Sequence, residues 1–90
     1  MRVKDRISQK LNIALTPTLL EVFDESHQHA GHAGWRQGGE THFRVHIVAA
    51  TFVGKSRIDR HRLVHAALAD ELQGGVHALA IVAKAPGESF

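Results

Sequence analysis

Phe43, Val45, Ile47 and Ala49 alternate with His42, Arg44 and His46, the strictest pattern in the chain. Successive side chains of a strand point to opposite faces, so this period of two predicts a strand with one apolar face. Such a face needs helices or a second sheet to cover it. The flanking segments supply helical periods. Val3, Ile7, Leu11 and Ala14 or Leu15 recur at near-helical spacing, with Lys4, Arg6, Gln9 and Lys10 between them. That spacing predicts an amphipathic first helix, ended near Thr16 and Pro17 because proline disfavours helix in the residue before it. Leu63, Val64, Ala67, Leu68 and Leu72 predict a second helix from about Ile58 to Leu72, stopped by Gly74 and Gly75. Ser56 precedes Asp59 by three positions, a capping-box-like spacing with aspartate in place of the usual glutamate.

Two further apolar runs read as strands. Leu19 to Phe23 is bounded by Pro17 and by Asp24, Glu25 and Ser26, and Val76 to Ala83 closes the pattern. His77 opens the last strand and falls on the same face as Leu79 and Ile81. Between the first two strands, residues 27–39 lack any period and contain Gly31, Gly34, Gly38 and Gly39, which predicts a long loop. Phe52 to Ser56 is a turn. The order is therefore α-β-β-α-β. Two directly joined strands pair antiparallel, and a strand–helix–strand crossover makes the third parallel to the second or to one beyond it. The expected class is α+β, a mixed three-stranded sheet with helices on one face, in a single domain over residues 1–90 whose residues 86–90 form a frayed tail.

Composition narrows the function. The chain has 90 residues, eight histidines and no cysteine. Without a thiol it can form neither a disulfide nor a thiolate nucleophile, and any metal it holds must be bound through nitrogen or oxygen unless a partner brings sulfur. Imidazole is the side chain here that both binds transition metals and changes charge near neutrality. The formal charge is only +2, so global charge is a weak argument for a nucleic-acid partner. No apolar run approaches the ~20 residues needed to span a bilayer. Met1 to Arg6 is charged and leads into no apolar stretch, which argues against a secretory signal and for the cytoplasm.

Several motifs bear on chemistry. Gly54-Lys55-Ser56 resembles the end of a phosphate-binding P-loop, but the glycine required five residues earlier is Ala49. Gly31 and Gly34 match a KH-type GxxG by letters, yet that loop must join two helices, and here it joins two strands. Lys55, Ser56, Arg57, Arg60, His61, Arg62 and His65 crowd the start of the second helix. A helix N-terminus favours anions, so this run suits a phosphate backbone or an acidic peptide; it equally suits a solvated face partly neutralised by Asp59 and Asp70. His27, His29 and His32 place imidazoles on one loop, as metal ligands or as incidental polar residues. His77 reads as a core-edge histidine bonded to backbone, or as a ligand. His42, His46, His61 and His65 have surface or hydrogen-bonding roles. No Ser/His/Asp spacing or paired-carboxylate pattern points to an enzyme.

Read together, Gly39-Glu40-Thr41-His42-Phe43-Arg44-Val45, Phe52 with Gly54 and Ser56, the run from Arg60 to Leu72, and Val76-His77-Ala78-Leu79-Ala80-Ile81 resemble the BolA family. Leu20 to Ser26 fits the same pattern, and the resemblance runs from the first helix to Pro86. It implies a BolA fold, similar to the class II KH arrangement. It also implies a non-enzymatic partner of monothiol glutaredoxins carrying a Cys-Gly-Phe-Ser motif, with a [2Fe-2S] cluster shared between them for trafficking or iron sensing. The glutaredoxin cysteine and glutathione would ligate one iron. Two histidines of this chain would ligate the other: His77 and, by position in the loop, His29, with His27 and His32 as alternatives. Two imidazoles on one iron, as in Rieske centres, raise the reduction potential relative to four thiolates. Imidazole binds iron only when neutral, so the resemblance implies weaker retention as pH falls. Family members are also described as DNA-binding transcription regulators, a role in which Lys55, Arg57, Arg60 and Arg62 would contact phosphate rather than read bases. Whether the two roles share a surface is left open by the sequence.

Overall fold

The computed structural model describes residues 2–25 and 42–89. Helix α1 spans Val3–Leu15, strand β1 Leu19–Asp24, strand β2 His42–Val48, helix α2 Arg57–Ala67, helix α3 Ala69–Gly74 and strand β3 Ala78–Lys84, with a 3-10 turn at Ala50–Phe52. The sheet order is β1-β2-β3; β1 pairs antiparallel with β2, and β3 pairs parallel with it. The α+β expectation holds, and the third strand takes the nearer of the two places open to it.

Register explains the core. Val22 lies opposite Val45 and Leu20 opposite Ile47, while Phe43, Val45 and Ile47 face Leu79, Ile81 and Ala83. These side chains share one face of the pleat. Ile7, Leu11 and Leu15 of α1 join them there, with Val64 of α2, Leu68 and Phe52. Burying each such aliphatic side chain fully contributes about 1.5–3 kcal/mol. Leu15 rather than Ala14 ends the buried stripe of α1. The helix stops at Thr16, which takes the left-handed conformation at φ 41° and donates its N–H to the Asn12 carbonyl at 3.1 Å. Pro17 then forbids another turn.

The second helix departs from the pattern that predicted it. It breaks at Leu68, where φ −109° and ψ 18° leave the helical basin, so one expected helix becomes α2 and α3. The Leu68 N–H bridges the carbonyls of Val64 and His65, and its carbonyl accepts from Leu72, so the bend keeps its backbone bonded. Leu68 remains in the core at the bend. Beyond it the buried carboxylate of Glu71 meets Lys10 of α1 at 2.7 Å. The uniform helical period of the sequence carries no sign of this break, nor of the contact with α1 beyond it.

At the start of α2, Ser56 is the N-cap, its Oγ accepting the Asp59 N–H at 3.1 Å. Gly54 precedes it at φ 75°, a conformation that a residue with a Cβ rarely adopts. Residues 86–89, which the pattern leaves frayed, instead make a turn through Gly87 at φ 90° that returns Glu88 to the sheet. The Glu88 N–H donates to Ala85 O at 3.1 Å, and the Ala85 N–H donates to Glu88 Oε1 at 2.8 Å.

Candidate functional site

The parallel β2–β3 ladder has a leading end, where His42 lies opposite Ala78, and a trailing end, where Val48 lies opposite Lys84. Candidate chemistry gathers at both ends. At the leading end, His77 stands one residue before β3, not within it as the pattern predicts, and it is exposed. Outside the strand it is not bound to the pleat that would aim it with Leu79 into the core. Its ring lies beside that of His42, centroid to centroid 6.3 Å, with an interplanar angle of 31°.

His42 is the residue that sequence reasoning missed. Of the surface or hydrogen-bonding role expected for it, the surface placement is corrected: only 7% of it is exposed, because it begins the central strand with β3 beside it. The available signal was register. Two strands that run parallel as neighbours and begin at His42 and just after His77 bring those residues to one end. The Glu25 N–H donates to the His42 carbonyl at 2.8 Å, and Arg44 Nε meets Glu25 Oε2 at 3.0 Å. The two flanks of segment 26–41 are thus tied together at the end that carries His77. His27, His29 and His32 lie outside the described residues.

Beside the two imidazoles this end carries the Glu25 carboxylate, which is engaged by Arg44. Among the described residues no group of three or more His, Cys, Asp or Glu side chains is placed to hold a metal ion.

The trailing end carries the cationic run, but its members do different work. Arg60 presents a fork to Glu88, Nη1 to Oε1 at 2.6 Å and Nη2 to Oε2 at 3.1 Å. It also donates from Nε to the Lys55 carbonyl at 3.0 Å and from Nη1 to the Ala83 carbonyl at 3.1 Å. The guanidinium of Arg60, helped by the Ala85 N–H, holds the Glu88 carboxyl down at about 2. Ser56 is spent on the helix cap, and Arg62 lies 3.5 Å from Asp59 at the surface. Lys55 and Arg57 are exposed and carry no ion pair among the described residues. Burial, then the charges of Arg57 and His65, pushes the His61 imidazole below its usual value. Lys55, Arg57, Arg60, His61 and Glu88 border an open groove of about 710 Å³ with Ile81, Val82, Ala83 and Lys84 along its other wall.

Six residue steps along the ladder separate the ends, roughly 20 Å at strand rise. His77 is not among the residues that line the cationic groove. His46 belongs to neither end. It packs edge-on against Phe23 at 5.4 Å and lies 3.9 Å from Glu21 on the sheet face away from the helices. No helix among the described residues is long and apolar enough to cross a membrane.

Known proteins resemble this chain in sequence and fold. SufE-like protein 1 of Arabidopsis thaliana is 54% identical over 87 residues, covering 92% of this chain; the chain spans only 24% of that relative. The DNA-binding transcriptional regulator BolA of Escherichia coli is 43% identical over 81 residues, covering 90% of the chain and 73% of the relative. The solved structure of BolA1 from Arabidopsis thaliana superposes with a TM-score of 0.87 at 42% identity, over 100% of this chain and 99% of that one. The family model described as BolA-like protein matches residues 11–88. That match takes in every element after the first turns of α1, and the superposition covers the remainder, so the chain belongs to the BolA family.

Proposed function

We propose that this protein is a non-enzymatic adaptor that joins a monothiol glutaredoxin and takes one side of a shared [2Fe-2S] cluster. The cluster is the cargo of the pair. The observation that carries the reading is the leading end of the ladder: exposed His77 beside His42, with both flanks of the histidine-bearing segment 26–41 fastened at the same edge. In a chain with no cysteine, such an end offers the cluster nitrogen ligands and leaves sulfur to the partner. His77 supplies one ligand. His29 supplies the other, with His27 and His32 as alternatives, and His42 buttresses His77 from the central strand.

Titrating cluster-loaded glutaredoxin and glutathione with the protein tests this. A heterodimer with changed visible absorption and circular dichroism is expected, and His77→Ala should abolish the change. If His77→Ala gives the wild-type spectrum, the assignment fails.

A second reading, a DNA-binding regulator, is supported by the name of the Escherichia coli relative and by the exposed cations at the trailing end. It predicts an affinity that falls steeply with salt and weakens in Arg57→Ala and Arg62→Ala. Arg60 is the wrong residue for that test, because its fork already holds Glu88. Binding that is absent at low ionic strength removes this reading.

A further inference from the structure

We infer that the groove between the start of α2 and the outer edge of β3 is a receptor for an acidic, extended peptide segment, and that Glu88 holds the place of that segment's carboxylate in the free chain.

The first support is how Glu88 is received. Its carboxylate takes both arms of the Arg60 fork and also the Ala85 backbone N–H. A planar fork set against a planar acceptor, completed by a main-chain donor, is the geometry with which proteins recognise carboxylates. The second is charge left over. Glu88 answers Arg60, while Lys55 and Arg57 on the same groove wall have no carboxylate among the described residues. One acidic group does not neutralise this wall, and a segment with several would.

The third support is the opposite wall. Among the described residues β3 pairs with β2 alone, so its far side is a sheet edge. The Lys84 carbonyl accepts from Ala49, which follows β2, whereas the Ala83 carbonyl accepts from Arg60 on the groove side. Carbonyls alternate in direction along a strand, so the backbone of Ile81 turns toward the groove like that of Ala83. A strand edge beside cations suits a peptide that adds as a further strand, with affinity from main-chain bonds and selectivity from its carboxylates. An extended peptide repeats its main-chain donors and acceptors at strand spacing and can pair with successive groups of this edge, which favours the peptide. This inference stands apart from the cluster reading, which concerns the other end of the ladder.

The test is fluorescence anisotropy at low salt with a labelled octapeptide of alternating glutamate and valine, using the full chain. Weak binding is expected for the wild type, tightened about fivefold in Glu88→Gln as one competing ion pair is removed. Amide shifts on binding should centre on Ile81 and Ala83. Arg57→Glu alters an exposed side chain without a described tie, and it should weaken binding whether or not Glu88→Gln folds normally. Equal peptide affinity in wild type and a folded Glu88→Gln variant overturns the inference. So does unchanged affinity in Arg57→Glu, or a gain in Glu88→Gln for a single-stranded 20-mer oligonucleotide that exceeds the gain for the peptide.

Discussion

At its leading end the β2–β3 ladder presents two imidazoles side by side; at its trailing end the same two strands are closed by an arginine fork, a glutamate and a capped helix. The leading end offers two imidazoles, one of them exposed, with Glu25 and His42, the residues that flank segment 26–41, bonded to each other there. The trailing end spends Arg60 on three separate partners: Glu88, Lys55 and Ala83. The contrast teaches that a local run of one residue type does not reveal its own work. The cationic run looks like a single anion site in sequence, yet its central arginine chiefly fastens the C-terminal turn. His42, one of several histidines without an evident role, sits where the ladder brings His77 to it.

The strongest way to break this comparison is to remove what joins the two ends. Phe43 is buried at 2% and follows His42 on the central strand, and Phe43→Ala should cost about 3–5 kcal/mol in chemical denaturation. Perturbed spectra for both His77 and Arg60 are expected; a change confined to one end would show that the ends fold separately. Next, Ser56→Ala removes the cap of α2 and should cost about 1 kcal/mol, with amide shifts near Arg60 and none at His77. Smaller still, His77→Ala alters an exposed residue and should stay within about 0.5 kcal/mol of wild-type stability while losing the cluster signal. A large loss of stability would mean that the imidazole is structural.

The finest test is acid. The Glu88 carboxyl ionises at about 2 in the fold against an ordinary 4.5, so the folded state favours its charged form. Its contribution is fully present above pH 4.5 and is lost as pH falls through about 2. The Ala85 amide resonance, reporting the bond to Glu88, should therefore hold steady to well below pH 4.5. Movement centred at 4.5 would sink the fork as described.

How much of this was legible follows from range. The alternation of Phe43 to Ala49 and the spacing of Ile7, Leu11 and Leu15 reflect burial along a single element, and those elements appear where the pattern puts them. The Ser56 cap was legible for the same reason, since its partner is three residues away. The contact of Lys10 with Glu71 and the return of Glu88 to Arg60 each depend on residues far apart in the chain. No local period encodes them, nor the break at Leu68. The His42–His77 pair lies between these cases, hidden in the composition but implied once the third strand is placed parallel to the second.

The parallel pairing of β3 also has a consequence for biogenesis. The last strand docks against the central one only after α2 and α3 have been synthesised, so a released chain truncated near Gly75 would display one side of β2 as an unsatisfied template. A fragment truncated near Gly75 should therefore aggregate more readily than the full chain.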